Sequence, residues 1–211
     1  ELLLMKPGKE LGVIFVSGPP GAGKTTMSRD YQKFHSGIEQ FSVGDLVRAI
    51  GYGYKDSSHR DAVHRARDMG KPLADNIFSD IVHEELTKSD DNTNMSIITG
   101  FPYGRGDWEL FRERGENSNI RMLGSIALHA SIFTCTERMI MRDLSSGRMA
   151  ENAEAYKQRY STNLAISETR LSLYALSGLE IVSVSAEDKH DQVFSKFSRA
   201  IDKLTKKEET G

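Results

Sequence analysis

The segment that most constrains this chain is residues 18–26, which read Gly-Pro-Pro-Gly-Ala-Gly-Lys-Thr-Thr and fit the pattern G-x-x-x-x-G-K-[ST]. It directly follows an apolar run with strand character at residues 13–17. A strand, a glycine-rich loop and a helix in that order are the context that turns this short pattern into a phosphate-binding loop, or P-loop. The sequence therefore predicts a nucleotide-binding site.

The residue types of the P-loop suit phosphate chemistry. Glycines let backbone N–H groups point toward phosphate oxygens, and the following helix adds the positive end of its dipole. Lys24 is predicted to reach the β- and γ-phosphates of ATP, and a threonine hydroxyl, that of Thr25 in ordinary P-loops, to meet Mg²⁺. The predicted nucleotide-binding residues are Gly18, Gly21, Ala22, Gly23, Lys24, Thr25 and Thr26.

Composition bounds the class of protein. The 211 residues are 38% apolar and 27% charged, which fits one soluble globular domain. The net charge of −2 gives no support for nonspecific nucleic-acid binding, and no apolar run is long enough to span a bilayer. Cys135 is the only cysteine, which excludes an intramolecular disulfide and favours a reducing compartment. We expect a cytoplasmic monomer with neither nucleic acid nor a membrane as partner.

Strand-like and helical patterns alternate along the chain, which predicts βαβ units and a parallel sheet flanked by helices. The predicted strands are residues 13–17, 96–99, 131–134 and 179–184, and residues 115–124 are interpreted as a loop. Apolar stripes with helical spacing lie within residues 77–86, 156–174 and 193–204.

Two polar segments, residues 49–72 and 145–158, fit this alternation badly. We interpret them as insertions above the carboxyl ends of the strands, where ligands bind in open α/β sheets.

Five strings in order carry a resemblance to a known family. They are Phe-Ser-Val-Gly-Asp-Leu-Val-Arg at residues 41–48, Gly-Lys-Pro-Leu at 70–73, Gly-Phe-Pro at 100–102, Ser-Ser-Gly-Arg at 145–148, and Arg159. Together with the P-loop, they make the chain similar to the adenylate kinase family of nucleoside monophosphate kinases over roughly residues 11–201. The pattern is that of short-lid members such as cytosolic adenylate kinase and UMP-CMP kinase.

The resemblance implies an α/β fold of the P-loop NTPase type, a parallel sheet flanked by helices with two insertions. One domain of residues 1–211 would consist of a core (11–41, 76–144 and 159–204), a flap that binds the nucleoside monophosphate (NMP) (42–75) and a short lid (145–158). The implied reaction transfers the γ-phosphoryl group of ATP to a ribo- or deoxyribonucleoside monophosphate, most closely as in adenylate kinases.

On the donor side, the resemblance implies that Lys24 and the P-loop hold the ATP phosphates and that Ala186 lies near the ATP base. Arg142, Arg148 and Arg159 would clamp the transferring phosphoryl group. Phosphoryl transfer needs alignment and neutralisation of spread negative charge, and planar guanidinium groups bind phosphate oxygens bidentately. Taken singly, Arg138, Arg142 and Arg170 are interpreted as members of solvated helix faces.

On the acceptor side, the resemblance implies that Ser42 begins the flap and that Arg48 grips the acceptor's phosphate. Leu73 would close the flap against the acceptor base, and Gly100 would lie beside the acceptor. Asp45 has two interpretations, a helix-start acid that complements the dipole or a residue that orders water around Mg²⁺.

The chain departs from the family string Asp-Gly-Phe-Pro-Arg, because Thr99 replaces the acid and Tyr103 replaces the arginine. Arg105 lies two residues further on and is predicted to reach into the missing arginine's place. Asp107 takes the acceptor-base position, where an ionised carboxylate accepts hydrogen bonds and donates none. That property disfavours uracil and leaves adenine, cytosine and guanine open.

The substitutions at Thr99 and Tyr103 keep a second class of function open, a nucleotide-binding protein of kinase descent that no longer transfers phosphate. A third is a P-loop kinase for a small acceptor that is not a nucleotide.

Overall fold

The computed structural model describes residues 10–70, 73–116, 118–145 and 153–206. They form a sheet of five parallel strands, in the spatial order β2-β3-β1-β4-β5. The strands are β1 (Leu11–Ser17), β2 (Ile38–Ser42), β3 (Met95–Thr99), β4 (Ile120–His129) and β5 (Ile181–Ser185). This sheet confirms the predicted α/β fold of the P-loop NTPase type.

Helices connect the strands and cover the sheet, as parallel strands require. They are α1 (Lys24–Phe34), α2 (Val43–Gly51), α3 (Arg60–Met69), α4 (Asp75–Thr87), α5 (Arg105–Glu116), α6 (Ile132–Ser145), α7 (Ala153–Leu176) and α8 (His190–Thr205). Within the described ranges, no helix has both the length and the apolar character that crossing a membrane demands.

Strand β1 lies at the centre of the sheet, and its side chains alternate between two apolar layers. Ile14 and Val16 pack with residues of α1 and α8. Phe15 packs on the other face, against a cluster of aromatic side chains that includes Trp108 and Tyr174. Both faces of β1 are thus fixed by packing, and its carboxyl end presents the P-loop at a constant place.

The predicted strand at residues 131–134 is wrong, and so is the loop at residues 115–124. Strand β4 begins at Ile120, and α6 begins at Ile132. The apolar residues at 132 and 133 become helical because Ser131 caps them: its hydroxyl accepts the Thr134 N–H at 3.2 Å. The Glu187 carboxylate accepts the Ser131 N–H and, at 2.6 Å, the Thr134 hydroxyl, so a distant side chain completes the cap.

The predicted flap contains α2 and α3, which pack on α4 through a small apolar cluster of Leu46, Ile50, Val63 and Ile81. Of the predicted lid, the structure describes only residue 145 and residues 153–158. The division into core, flap and lid therefore stays a prediction.

Candidate functional site

The P-loop packs tightly against α6. Gly21 has a φ of 84°, and a Cβ placed on it would lie 2.4 Å from the Cys135 carbonyl oxygen. Only glycine fits this combination of left-handed backbone and close approach. The loop is braced a second time from α7, because the Gly18 N–H donates a buried hydrogen bond of 2.6 Å to the Ser167 hydroxyl.

Lys24 is the first residue of α1, and its ammonium group closes the P-loop on itself. Nζ donates hydrogen bonds of 2.8 Å to the carbonyl oxygens of both Gly18 and Pro19. Burial, together with the positive charges of Arg170 and Arg142, lowers the pKa of Lys24 to about 8. A cation held in a positive field and at a helix start is suited to meet an anion.

The remaining predicted donor residues lie around this lysine. The N-cap of α1 is Gly23, which offers no side chain to the first-turn N–H groups. Thr25 is half-buried and Thr26 is exposed in that first turn, and Ala22 is buried in the loop. Ala186 is also buried, and its N–H donates to the His129 carbonyl oxygen at 2.8 Å beyond the ends of β4 and β5.

On the other side of the P-loop, the predicted acceptor residues open α2. The Ser42 hydroxyl caps this helix by accepting the Asp45 N–H at 3.4 Å. Arg48 donates to the Asp45 carboxylate, and both side chains are exposed. Leu73 is half-buried against the apolar cluster under α2 and α3.

The segment after β3 lies between these two halves, since β3 is the neighbour of both β1 and β2. Thr99 is 1% exposed at the end of β3, and Gly100 follows it. The Tyr103 ring stacks on Phe78, with centroids 4.0 Å apart. A Cβ placed on Gly44 would lie 3.6 Å from both the Tyr103 hydroxyl and Arg48 Nη1, so these two groups face the same space.

The structure does not bring Arg105 to the place of the missing arginine. Arg105 begins α5, its side chain is 80% exposed, and it forms an ion pair of 2.6 Å with Glu109. The prediction that it reaches into the site has no support from this geometry, because the (i, i+4) pair holds it along the helix surface.

Arg170 lies in the interior of the protein, next to the segment after β3. The interpretation as a solvated residue is incorrect, because Arg170 is only 7% exposed. Its Nε donates to the Pro102 carbonyl oxygen at 2.5 Å, and its guanidinium lies over the Tyr103 ring, 5.3 Å from the centroid. Burial lowers the pKa of Arg170, and the acidic groups of Tyr174, Tyr103 and Asp107 partly oppose that shift.

Asp107, the predicted base-reading residue, is 1% exposed and belongs to this buried charge group. A carboxylate and a guanidinium that share a buried space reduce each other's desolvation cost. The negative charge of Asp107 accordingly acts to raise the pKa of Arg170.

A second charged group joins α6 and α7. Arg142 donates from Nε and Nη2 to the Asp143 carboxylate at 3.2 and 3.1 Å, and the Tyr156 hydroxyl donates to the same buried carboxylate at 3.0 Å. Burial acts to raise the pKa of Asp143, but the hydrogen bonds and the charges of Arg142 and Arg159 outweigh it and lower that pKa. Arg148 lies outside the described residues.

Ser167 and Asp143 are not among the predicted site residues, and the sequence predicts a solvated Arg170. A signal for two of them exists, because Arg159, Ser167 and Arg170 follow one another at spacings of 8 and 3 residues. Such spacings put side chains on one side of a helix. The stripe on α7 is therefore partly polar where it faces the P-loop and β3.

The described residues contain no group of three or more His, Cys, Asp or Glu side chains that could form a metal site of their own. Mg²⁺ next to nucleotide phosphates needs only one or two protein ligands. Thr25, in the uncapped first turn of α1, fits such a ligand. Asp45, the other predicted metal residue, forms an ion pair with Arg48 in this structure.

Comparison with known proteins gives one family and several relatives. Residues 17–157 match the family model described as the AAA domain. Adenylate kinase isoenzyme 1 of Rattus norvegicus is 29% identical over 198 residues, which cover 93% of this chain and 97% of the relative. The human isoenzyme 1 is 27% identical with the same coverage. UMP-CMP kinase of Sus scrofa is 27% identical over 201 residues, or 90% of this chain and 97% of the relative.

Proposed function

The chain belongs to the AAA-domain family of P-loop proteins, and from that premise we propose that it is an ATP-dependent nucleoside monophosphate kinase. The relatives named adenylate kinase and UMP-CMP kinase match it over nearly its whole length and support kinase activity. The proposal includes the reaction itself, the transfer of the ATP γ-phosphoryl group to a nucleoside monophosphate, most closely as in adenylate kinases.

One observation supports the proposal: two separate cationic groups, each predicted to bind phosphate, follow neighbouring parts of the same sheet. Lys24 and the P-loop follow β1, and Arg48 follows β2, with the end of β3 between them. A protein that only binds ATP needs the first group alone. Two groups separated by one strand are what donor and acceptor phosphates in line would require.

In the proposed mechanism, the chain aligns the two substrates and neutralises their charge. Lys24 leaves the carbonyl oxygens of Gly18 and Pro19 for the ATP phosphates, and Arg48 leaves Asp45 for the acceptor phosphate. Arg142 and Arg159, from α6 and α7, would neutralise charge on the transferring group. No general base is required of the protein.

Bound Mg²⁺ would supply charge neutralisation at the phosphates, and Thr25 would hold it. Asp45 could approach such a metal only after giving up Arg48, which binding of the acceptor phosphate to Arg48 would allow. We also propose a cytoplasmic, reducing setting, which the single, buried Cys135 favours.

A coupled assay with ATP, Mg²⁺ and each of AMP, CMP, GMP and UMP, with their deoxy forms, tests the function. We expect phosphorylation of at least one of the first three, and a loss of about 100-fold or more in kcat for Lys24→Ala. Lys33→Ala is the matched control, because Lys33 is exposed on the same helix and pairs with Asp30, three residues before it. The proposal fails if no acceptor is phosphorylated above the level of Lys24→Ala.

A nucleotide-binding protein without transfer activity is the second candidate. The burial of neutral Thr99, where the family has an acid, is the observation that favours it. Calorimetry that shows ATP binding in a chain that turns over none of the acceptors would select this candidate.

A further inference from the structure

A buried arginine, Arg170, enters the acceptor side of the site from α7. Its Nε is held by the Pro102 carbonyl oxygen, and its guanidinium lies over the Tyr103 ring. Within the described residues, its two Nη groups make no hydrogen bond to protein. A guanidinium carries five N–H donors in a planar fork, and of those on Arg170 only Nε has a hydrogen-bond partner among the described residues. The Nη donors are therefore available to a ligand.

The charges around Arg170 favour an anion there. The positive charges of Arg170 and Arg142 each act to lower the pKa of Lys24, so both guanidinium groups are felt at the ammonium group of the P-loop. Asp107 acts on Arg170, and Asp143 pairs with Arg142, so the three cations still outnumber the two carboxylates beside them. Cations that repel one another in a partly buried space are stabilised when a phosphate lies between them.

Tyr103 connects Arg170 to the acceptor-phosphate residue Arg48. The guanidinium of Arg170 lies over the Tyr103 ring, while the Tyr103 hydroxyl faces the same space as Arg48. Position 103 is thus adjacent to both arginines. Tyr103 is 43% exposed, so its ring can shift without opening the core.

We propose that Arg170 binds the acceptor's phosphate together with Arg48 and takes the role that an arginine at position 103 has in the adenylate kinase family. The positive charge reaches the site from α7 instead of from the segment after β3. This inference rests on the proposed function, because it needs an acceptor phosphate in the space next to Tyr103. Arg170 would then touch substrate and count as a catalytic residue.

The test compares steady-state kinetics and substrate binding in Arg170→Met and Arg170→Lys, using the best monophosphate acceptor of the wild-type chain. We expect Arg170→Met to lower kcat/KM for the acceptor about 100-fold or more, since one arginine at a transferring phosphate has effects of that size. At pH 7, below the pKa of about 8 that Lys24 has beside Arg170, the dissociation constant for ATP should change by less than about threefold, because Lys24 is mostly protonated with or without the charge of Arg170. Arg170→Lys should fall between, since lysine keeps the charge and loses the bidentate geometry.

A rescue variant separates substrate binding from a structural role. Adding Tyr103→Arg to Arg170→Met should recover about tenfold or more of the lost kcat/KM, because two residues that serve one phosphate are not additive. Arg199→Met is the matched control, because Arg199 is exposed on α8. Equal losses for ATP and acceptor, or no rescue by Tyr103→Arg, would overturn the inference. If Arg170→Met does not fold, Arg170→Lys with and without Tyr103→Arg decides in the same way.

The two proposals fail in different ways. An active wild-type chain whose acceptor kinetics are unchanged in Arg170→Met would overturn the role of Arg170 and leave the kinase proposal intact. A wild-type chain that phosphorylates nothing would overturn the kinase proposal. Arg170 is then tested by calorimetric binding of AMP, CMP and GMP in the presence of a nonhydrolysable ATP analogue. Weaker binding to Arg170→Met supports its role as a phosphate ligand, and equal binding overturns it.

Discussion

Lys24 has two protonation states that matter for both folding and binding. Its pKa falls from 10.5 to about 8 through burial and through the charges of Arg170 and Arg142. Between these values the unfolded chain keeps the proton that the folded chain has lost. The contribution of Lys24 to the free energy of unfolding therefore rises with pH from about 8 to 10.5 and is constant below that window.

We expect ATP binding to take up a proton near pH 8.5, because the phosphates bind the ammonium form of Lys24. Affinity for ATP should fall as the pH rises from 8 to 10, at a limiting slope of about tenfold per pH unit. Calorimetry in buffers with different ionisation enthalpies measures the proton uptake. Lys24→Ala should show none, and an apparent binding enthalpy that is independent of the buffer in the wild-type chain would contradict the prediction.

At the scale of elements, the P-loop is shaped by the helix beside it as much as by its own residues. Gly21 and Gly23 both have left-handed backbone, with φ of 84° and 90°. A side chain at Gly21 would meet the backbone of α6 at Cys135, whereas a Cβ at Gly23 would meet nothing within 4 Å. A substitution at Gly23 therefore introduces backbone strain alone, whereas one at Gly21 introduces backbone strain and a steric clash with α6.

Gly21→Ala should destabilise the fold by about 3 kcal/mol or more, because α6 must move away in addition to the backbone strain. Gly23→Ala should cost only about 1–2 kcal/mol, the penalty for the left-handed conformation. Urea unfolding of both variants measures the difference. Equal losses of stability would show that the contact between the P-loop and α6 adds nothing.

At the scale of the whole molecule, stability is distributed unevenly between the sheet and the helices after β2. Strand β1 is buried almost throughout and packs on both faces. In helix α3 only Val63 is fully buried, three residues are half-buried, and the remaining six are exposed. Few buried apolar contacts and an exposed helical backbone are the conditions for local opening.

We expect amide hydrogens of α3 to exchange at a much lower opening free energy than those of β1. Addition of a nonhydrolysable ATP analogue with the acceptor should slow exchange in α2 and α3. Ligands that bind only when these helices are folded stabilise them against local opening. Hydrogen exchange read by mass spectrometry follows both regions at once. Equal protection of α3 and β1 in the free protein would contradict this distribution.

The parts that could be predicted from sequence are those that local residues determine. The P-loop follows from glycines, a lysine and a strand next to one another, and β1, β3 and β5 follow from apolar runs. The start of α6 could not be predicted, because Glu187, far along the chain, completes the Ser131 cap. The burial of Arg170 depends on Pro102 and Tyr103, which lie far from it in sequence. The roles of Arg48, Arg142, Arg159 and Asp107 stay predictions.

The hydrogen bonds from Lys24 to the carbonyl oxygens of Gly18 and Pro19 bear on the speed of nucleotide capture. Because the lysine already has partners, an arriving triphosphate exchanges one set of acceptors for another and orders no free side chain. The loop thus loses little conformational entropy on binding. The association rate constant should therefore be set by how often the nucleotide meets the loop in the right orientation. Changes at the P-loop should then appear mainly in how long the nucleotide stays.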